Sequence, residues 1–423
     1  MNSLYTELEA RGFIAQTSDP SIASRLATEK VTVYAGFDPT ATSLHLGSLV
    51  PIMALAHFQR HGHKVLAVVG GATGMIGDPS GKSDERSLLT PEKVRENVEG
   101  IKTQMARFID FDGDNAALML DNLDWTAPMS FIDWLRDVGK YFTVNYMIAK
   151  ESVARRLESE QGISFTEFSY MTMQAHDFLH LFDHHRCTFQ CGGNDQWGNI
   201  TAGIELIRKV RHMDAYGITF PLIATASGEK FGKSAGNAMW LDPAMTTPWN
   251  FYQYLIRQED ADVVRFLNLF TFLPLERIAE LAATVAERPE SREAQKALAF
   301  EVTKIVHGES IAKEMVEAAT ILHGSEIKDM TDATLSAVFA SVPSTSITRA
   351  ELEDGIGLID LLAATPLAAS RGEAKRLLKA GGVYVNNVRI TEDTKLNKAH
   401  LASPSYMVLR SGKKNYALIR VSE

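Results

Sequence analysis

The sequence predicts an α/β protein in which a parallel sheet with helices on both faces is followed by a helical segment and a small α+β unit. Strand patterns alternate with helical patterns over the first 225 residues, which is typical of a parallel sheet. Residues 247–322 carry helical periodicity almost throughout. Beyond 355 two short helical patterns precede a return to strands at 381–388. The sheet-based part is therefore expected first and the α+β unit last.

Each predicted element of the first part has a local reason. Val31–Phe37 is a β-branched and aromatic run that ends in Gly and Asp-Pro, which indicates a buried strand. Thr90, Pro91 and Glu92 are typical of an N-cap, a first-turn proline and a first-turn acid. The polar, amphipathic pattern of residues 1–30 predicts one or two helices. Further strands are predicted at 64–71, 117–121, 187–192 and 217–225, and helices at 44–61, 91–109, 129–183 and 196–210.

Polar and glycine residues follow four of these strands at the points where the strands end. They occupy 36–38, 70–78, 192–196 and 228–234. Because ligands of parallel sheets bind beyond the carboxyl ends of the strands, these segments are expected to gather around one site.

Composition excludes several classes of protein. The chain has 423 residues, 45% hydrophobic and 22% charged, as expected for a globular protein of two or three domains. No run of about eighteen apolar residues predicts a membrane span, and residues 1–30 lack the apolar core of a signal peptide. The only cysteines, Cys187 and Cys191, are too few for a disulfide framework and indicate a cytoplasmic protein.

Charge is distributed unevenly along the chain. The whole sequence has a net charge of -9, whereas residues 366–423 contain 11 Lys and Arg against 4 Asp and Glu. A basic tail on an acidic body indicates a nucleic-acid partner for the tail.

The loop Gly228-Glu-Lys-Phe-Gly-Lys-Ser234 has the composition of a segment that closes over a polyphosphate. Its glycines allow a tight turn close to a ligand, and Lys230 and Lys233 are compact positive charges. A P-loop is excluded, because it has four residues between its first glycine and Gly-Lys-Ser/Thr, and here there are three. Residues 77–83 fail in the same way. Taken alone, the loop could equally be a solvated basic turn.

A second phosphate-type segment, His45-Leu-Gly-Ser48, stands at the predicted start of the helix over 44–61. Free N–H groups and the helix dipole attract anions there. His45 can donate to a phosphate, and Gly47 lets a flat base pack on the backbone. The alternative is an ordinary capped helix with a surface histidine.

Together these segments resemble the paired signatures of the class I aminoacyl-tRNA synthetases, His-Ile-Gly-His and Lys-Met-Ser-Lys-Ser. This sequence differs at four signature positions, namely Leu46, Ser48, Phe231 and Gly232. It keeps the residues that would carry chemistry, which are His45, Gly47, Lys230 and Lys233.

The resemblance is to the bacterial tyrosyl-tRNA synthetases in particular, over essentially the whole chain. Matching stretches are Tyr-Ala-Gly-Phe-Asp at 34–38, Gly-Asp-Pro-Ser-Gly-Lys at 77–82, Tyr-Met-Thr-Met-Gln-Ala-His-Asp at 170–177 and Gly-Gly-Asn-Asp-Gln at 192–196. It implies a homodimeric ligase that activates L-tyrosine with ATP, giving tyrosyl-adenylate and pyrophosphate, and then transfers tyrosyl to the 3′ end of tRNA(Tyr).

The resemblance also implies a division into domains. A Rossmann-like catalytic domain is expected over 1–225, with a helical insertion at about 122–165 in which the family dimerises. A mobile loop region at 226–246, a helical anticodon-side domain at 247–322, a linker at 323–350 and an αL RNA-binding domain at 351–423 are expected to follow.

Tyr170, Gln174 and Asp177 are spaced by four and three, so they share one face of a predicted helix. Without the resemblance, a hydrated helix surface would be the preferred interpretation. The resemblance implies that Tyr34 and Asp177 bracket the phenolic hydroxyl of the substrate. The full tyrosine-binding set that it implies is Tyr34, Asp78, Tyr170, Gln174, Asp177 and Gln196.

The ATP-binding set that the resemblance implies consists of Gly36, Asp38, His45, Gly47, Gly193, Asp195, Lys230, Lys233 and Ser234. Mg²⁺ is expected to accompany ATP, and no tightly bound cofactor is expected. Adenylation needs no protein nucleophile, because the tyrosine carboxylate is already ionised. Catalysis is therefore expected from positioning and charge stabilisation by Thr40, His45, Lys230 and Lys233.

Several histidines and both cysteines raise the question of zinc. Cys187 and Cys191 are four apart in a predicted strand and so share a face, whereas structural zinc sites usually show two tightly spaced pairs. Buried thiols and solvated His180, His184 and His185 are the preferred interpretation, and no metal site is expected.

The segment from Ser370 to Asn386 resembles the αL RNA-binding module and implies a structured-RNA partner. Arg371, Lys375 and Arg376 stand on neighbouring helix turns beside a Gly-Gly turn, which suits an RNA backbone. A solvated basic helix is the alternative.

Three other functions remain open. Tryptophanyl-tRNA synthetase shares the fold, but Tyr34, Asp177 and the basic tail argue against it. A small-molecule adenylyltransferase would not need the last 70 or so residues. A non-enzymatic RNA-binding protein would not need both phosphate-type segments.

Overall fold

The computed structural model describes residues 3–80, 89–158, 162–228, 231–234, 237–321, 324–412 and 415–422. The chain forms two compact units, of which the first comprises 1–245 and 257–298 and the second comprises 246–256 and 299–423. The predicted α/β class is confirmed. The predicted domain boundaries stay predictions, and the division at 256 falls within the segment predicted as one helical domain.

Six strands form the main sheet in the described part of the first unit, in the order β1-β6-β5-β2-β3-β4. Neighbouring strands from β6 to β4 are parallel, whereas β1 pairs antiparallel with β6 at the edge. The strands are β1 Gln16–Thr17, β2 Thr32–Phe37, β3 Lys64–Val69, β4 Leu118–Asp121, β5 Cys187–Gly193 and β6 Tyr216–Phe220.

The sequence correctly predicts β2 to β5 but differs at both ends of the set. The short strand β1 lies within a stretch predicted to be helical. The strand β6, predicted to reach 225, ends at Phe220. Pro221 follows directly, and proline has no N–H with which to extend a ladder.

Helices connect these strands and cover the sheet. Thr90 caps the helix that begins at Pro91, accepting a hydrogen bond from the Lys93 N–H as its sequence predicts. The helices up to the end of the sheet are α1 Leu4–Ala10, α2 Ile22–Thr28, α3 Leu49–Arg60, α4 Thr73–Ile76, α5 Pro91–Met105, α6 Leu123–Thr126, α7 Phe131–Asp137, α8 Val144–Ile148, α9 Glu151–Leu157, α10 Phe165–His185 and α11 Trp197–Arg211.

The centre of the sheet is buried on both faces. Val33, Tyr34 and Ala35 of β2 are all almost completely inaccessible to solvent, as is β3 from Val65 to Val69. Continuous apolar strands of this kind are expected where helices cover both faces of a parallel sheet. Because β3, β2, β5 and β6 run parallel, their carboxyl ends lie at the same edge of the sheet, where the cavity described below opens.

Helical elements follow the main sheet. A short antiparallel pair, β7 Lys233–Ser234 and β8 Asn237–Ala238, precedes them. The helices are α12 Pro248–Ile256, α13 Asp260–Phe270, α14 Leu275–Glu287, α15 Glu293–His307, α16 Glu309–Ile321, α17 Asp332–Val338, α18 Arg349–Asp354, α19 Leu358–Ala363 and α20 Arg371–Lys379.

The second unit contains a five-stranded sheet among its described residues, in the order β12-β11-β14-β15-β9. Its strands are β9 Ser344–Thr348, β11 Val383–Val385, β12 Val388–Ile390, β14 Tyr406–Ser411 and β15 Asn415–Ser422, and a separate pair joins β10 Ile356–Gly357 to β13 Lys395–Leu396. The apolar sides of helices α19 and α20 pack on one face of this sheet, with Leu361, Ala374, Val383 and Leu409 in the shared core.

One strand of this sheet lies within the segment 323–350 that is predicted as a linker. Residues 344–348 form β9, which pairs in parallel with β15. Their Ser- and Thr-rich composition is typical of a loop, yet Ile347 is buried in the core of the sheet. An edge strand with one buried side chain gives little apolar pattern from which to predict it.

Candidate active site

A cavity of about 490 Å³ lies in the first unit at the carboxyl ends of the parallel strands. Its floor is formed by β2 and β5, one wall by α10, and its mouth by the segments at 45–47 and 220–223. Most of the residues predicted for the site line this cavity, namely Tyr34, Gly36, Asp38, His45, Gly47, Asp78, Tyr170, Gln174, Asp177, Gly193, Asp195 and Gln196.

Asp177 is a buried carboxylate at the closed end of the cavity, with only 4% of its surface exposed. Its Oδ2 accepts a hydrogen bond from the Asn122 amide at 3.0 Å, and its Oδ1 accepts one from the Trp125 indole at 2.7 Å. Burial nevertheless raises the pKa of Asp177 to about 7, because the charged form loses its hydration. The carboxylate is thus held in one orientation and titrates close to neutral pH.

Tyr34 reaches the same end of the cavity from β2. Its ring packs against Phe178 with centroids 5.3 Å apart, and its Oη is buried without a hydrogen-bond partner among the residues the structure describes. Burial, reinforced by the Asp177 charge, raises the pKa of the Tyr34 hydroxyl well above its usual value. A buried hydroxyl that lacks a partner is costly, so this end of the cavity suits a ligand with a polar atom.

Tyr170 and Asp38 form a second group, further along the cavity. The Tyr170 hydroxyl donates to Asp38 Oδ2 at 2.9 Å, and the Thr73 hydroxyl donates to Asp38 Oδ1 at 2.8 Å. Burial raises the pKa of Tyr170 well above its usual value. Gly70 permits this arrangement, because a Cβ at that position would lie 2.4 Å from Asp38 Oδ1.

A network of amides joins α10, α11 and the 78–80 turn. Gln196 donates to Asp78 Oδ2 at 2.6 Å, and the other Asp78 oxygen accepts from the Ser80 N–H at 2.9 Å. Asn199 donates to the side-chain oxygens of both Gln174 and Gln196, each at 3.1 Å. These bonds orient the polar groups that face the middle of the cavity.

At the mouth of the cavity, backbone hydrogen bonds through Met239 connect the two phosphate-type segments. Leu46 N–H donates to the Met239 carbonyl at 2.9 Å, and the Met239 N–H donates to the Gly232 carbonyl at 2.7 Å. Gly232 has a φ of +83°, and a Cβ there would lie 2.9 Å from the Leu46 Cβ and 3.0 Å from the Gly47 nitrogen. Glycine at the family's serine position is therefore explained by a close approach to the first segment.

The other predicted residues do not line the cavity or are not fully described by the structure. Thr40 is exposed and does not line the cavity. Lys230 lies outside the described residues, and for Lys233 and Ser234 only the backbone is described, in β7. In the second unit, Arg371, Lys375 and Arg376 are exposed on α20, with Arg371 forming an ion pair with Asp360 at 2.7 Å.

Sequence analysis missed the residues that hold the carboxylates in place. Asn122 and Trp125 fix Asp177, Thr73 binds Asp38, and Asn199 orients the two glutamines. Asn122 directly follows the end of β4, so the rule that polar residues gather at carboxyl ends of strands could have found it. Thr73 lies within the 70–78 segment that the same rule predicts at the site, although nothing distinguishes it from its neighbours there. Trp125 and Asn199 carry no comparable signal.

No group of three or more His, Cys, Asp or Glu side chains within the described ranges is arranged to hold a metal ion. Cys187 and Cys191 are buried thiols, and burial raises the pKa of Cys187 well above its usual value. Among the described helices, none is both long enough and apolar enough to cross a membrane.

Comparison with known sequences and structures gives a consistent result. Residues 26–324 match the family described as tRNA synthetases class I (W and Y), and residues 334–419 match the tyrosine--tRNA ligase SYY-like C-terminal domain. The chain is 48% identical to the tyrosine--tRNA ligase of Roseiflexus castenholzii over 100% of both chains. It is 47% identical to tyrosine--tRNA ligase 1 of Bacillus cereus over 98% of this chain and 99% of that one.

Solved structures extend the comparison to the fold. A C-terminally truncated mitochondrial tyrosyl-tRNA synthetase of Aspergillus nidulans superposes with a TM-score of 0.70 at 30% identity, covering 76% of this chain and 94% of that chain. A tryptophanyl-tRNA synthetase of Encephalitozoon cuniculi, at 13% identity and a TM-score of 0.53, shares the fold alone. The chain therefore belongs to the class I tRNA synthetases of the tryptophan and tyrosine family, and within it to the tyrosine--tRNA ligases.

Proposed function

We propose that this chain is a tyrosine--tRNA ligase that activates L-tyrosine with ATP and then transfers the tyrosyl group to the 3′ end of tRNA(Tyr). Its family membership supports the reaction class. The observation that carries the choice of amino acid is the buried pair of Tyr34 and Asp177 at the closed end of the cavity. A phenolic hydroxyl can donate to the Asp177 carboxylate and accept from the Tyr34 hydroxyl.

This pair also gives a reason for rejecting phenylalanine. Phenylalanine would leave both buried polar groups without the hydrogen bonds that tyrosine provides, and unpaired buried groups are costly. Tyrosyl-tRNA synthetases are themselves the known example of such discrimination, about 10⁵ without editing, a value taken from the family and not obtained from this structure.

The remaining polar groups suit the other end of the amino acid. Asp78 and the Tyr170 hydroxyl offer acceptors for the α-ammonium group, assisted by the Gln174 side chain. Gln196 lies near the position proposed for the carboxylate. In this arrangement the substrate carboxylate is directed toward the mouth of the cavity, where the nucleotide would bind.

The nucleotide is proposed to bind along exposed glycines. Gly36 and Gly47 leave room for the adenosine to lie against the backbone, while Asp195 and Gly193 suit the ribose. The tyrosine carboxylate attacks the α-phosphorus in line, and the bond to the pyrophosphate oxygen breaks. His45, Lys230, Lys233 and Thr40 are proposed to stabilise the charge that develops on the leaving pyrophosphate. We expect Mg²⁺ to enter with ATP.

The tRNA is proposed to contact the basic face of α20, with the helical region 247–322 on the anticodon side. Replacing Arg371, Lys375 and Arg376 together by alanine should weaken aminoacylation and leave adenylate formation unchanged. Lys93→Ala, which removes an exposed lysine of α5 paired with Glu96 and lies outside the proposed RNA-binding regions, is the control. Unimpaired charging by the triple variant would refute the RNA role.

A coarser test of the RNA role is the removal of residues 351–423. It should spare adenylate formation and damage tRNA charging. Because β9 pairs with β15, this cut leaves β9 without its neighbour, so the triple variant is the cleaner experiment.

A homodimer is proposed from the apolar surface of the helical insertion. Phe131, Ile132 and Val144 are 64%, 67% and 62% exposed, which is unusual for large apolar side chains of one short region. Ile132→Asp should shift the protein to monomers in sedimentation equilibrium, whereas Val316→Asp, in α16, should not. A monomeric unaltered protein would contradict the proposal.

The buried, free thiols of Cys187 and Cys191 are compatible with a reducing compartment, and we propose that the enzyme acts in the cytosol.

The decisive experiment is pyrophosphate–ATP exchange with each of the twenty amino acids in turn, without tRNA and with magnesium. Exchange that depends on tyrosine alone is expected. Exchange with tryptophan would retain the fold and reject the assignment of Tyr34 and Asp177. Absence of exchange with any amino acid, in folded protein, would refute the catalytic proposal.

A further inference from the structure

We propose that Trp240 is a positioning residue for adenylate formation, because it holds the His45 imidazole in place at the mouth of the cavity. This inference rests on the proposed function for the reaction itself. It concerns a residue that belongs to neither phosphate-type signature and that acts through His45.

The backbone around Trp240 is fixed to the backbone around His45. These two residues form an antiparallel bridge. On one side of the bridge the Leu46 N–H donates to the Met239 carbonyl, and on the other the Leu241 N–H donates to the Leu44 carbonyl, both at 2.9 Å. Two hydrogen bonds that flank one residue pair leave little freedom in their relative position.

The two side chains also meet. The His45 and Trp240 ring centroids are 5.9 Å apart with the ring planes at 68°, which is the edge-to-face arrangement that aromatic rings favour. Gly47 limits the imidazole on another side, since a Cβ there would lie 2.9 Å from His45 Cε1 and 3.0 Å from Nδ1. The imidazole is therefore confined by the indole and by the backbone at Gly47.

Trp240 is also connected to the loop that carries the lysines. The Met239 N–H donates to the Gly232 carbonyl at 2.7 Å, next to Phe231. Phe231 is buried and stacks on Phe270, with centroids 4.8 Å apart and ring planes at 10°. The segment 239–241 thus links the backbone around His45 to the backbone at Gly232 through main-chain hydrogen bonds. These bonds fix the position of the first phosphate-type segment relative to the lysine loop.

A purely structural tryptophan predicts a different outcome from a positioning one. If Trp240 only fills space, its loss should lower activity by the same factor whether or not His45 is present. If it acts by holding the imidazole, its loss should matter only while the imidazole is there. A double-mutant cycle separates the two, because residues that act together are not additive.

The experiment measures single-turnover adenylate formation and tyrosine affinity in the full-length protein. Trp240→Ala should lower the adenylation rate about tenfold, since small misplacements of a catalytic group are expensive, with tyrosine affinity unchanged. In the His45→Ala background the same change should cost less than about twofold. Trp240→Phe, which keeps an aromatic edge, should restore most of the rate.

Leu241→Ala is the matched control. It removes a buried side chain from the same bridge without removing the ring that meets the imidazole, so its effect should be additive with His45→Ala. An equal loss from Trp240→Ala in both backgrounds, or no loss in either, would overturn the proposal. A wild-type protein without tyrosine-dependent exchange would instead refute the proposed function, so the two failures are distinguishable.

Discussion

The two ends of the cavity are constructed in different ways. At the closed end, recognition depends on buried side chains, because Tyr34 and Asp177 are 1% and 4% exposed and Asp177 is held by two neutral donors. Toward the mouth, Gly36 near the carboxyl end of β2 and Gly47 beside His45 expose bare backbone to solvent. A buried side chain fixes one hydrogen-bonding pattern, whereas bare backbone can contact phosphates and a flat base at close range.

The difference separates selection from rate. Substitutions at the closed end should change which amino acid is activated, because the groups there contact only the substrate side chain. Substitutions at the mouth should change the rate at which any bound amino acid is activated. The predictions below test this separation, beginning with the largest expected effect.

Asp177→Ala should lower the preference for tyrosine over phenylalanine by about 10³-fold, because the phenolic hydroxyl loses a charged acceptor in a buried site. The measurement is kcat/KM in pyrophosphate exchange for each amino acid. The maximal rate for bound tyrosine should change much less. A variant that keeps its preference and loses only rate would break the separation.

His45→Ala should lower the rate of adenylate formation by at least about 10²-fold, the usual cost of removing one donor that stabilises developing charge. Tyrosine affinity, measured by equilibrium dialysis, should be unchanged. Equal losses of rate and of affinity would mean that the contact is not specific to the transition state.

Tyrosine affinity should depend on pH through Asp177, whose pKa burial raises to about 7. Only the ionised carboxylate is a full acceptor for the phenolic hydroxyl, so affinity should fall as pH decreases below 7, up to about tenfold per unit. Above pH 7 it should level off. Asp177→Asn, which cannot ionise, is the control and should bind weakly with no such slope between pH 5 and 8. A flat wild-type profile would contradict the assignment.

Two glycines of the lysine loop provide the smallest and sharpest test. Gly232 and Gly228 have nearly equal φ values of +83° and +85°. A Cβ at Gly232 would collide with Leu46, whereas a Cβ at Gly228 would meet no atom of the described residues within 4 Å. Both alanine variants carry a backbone cost of about 1–2 kcal/mol. Gly232→Ala should in addition slow adenylation several-fold relative to Gly228→Ala. Equal adenylation rates in the two variants would show that the close approach of Gly232 to Leu46 does not affect catalysis.

Much of this arrangement follows from local sequence. The strands β2 to β5 and the groups that follow them were predictable, because long apolar strands and the polar residues at their ends leave a direct pattern. The close pairing of Gly232 with Gly47 was not predictable, since it joins segments 185 residues apart in the chain. The same holds for Trp125 and Asp177, whose hydrogen bond depends on how α6 packs beside α10.

Strand β9 shows that even secondary structure can depend on a distant partner. Its residues are short and polar apart from Ile347, and their strand conformation comes from pairing with β15 rather than from their own preference. Local composition cannot reveal a pairing partner that lies about 70 residues away.

The pairing of β9 with β15 has a consequence for how the second unit folds. Residues 415–422 lie between β14 and β9 in the sheet, so β15 is the interior strand that connects β9 to the other strands. Because β9 and β15 are about 70 residues apart in the chain, this sheet depends on a non-local pairing, which is slow to form. Polypeptides that end before residue 415 should therefore leave β9 without a partner and should lack the complete five-stranded sheet against which the proposed RNA-binding helix packs.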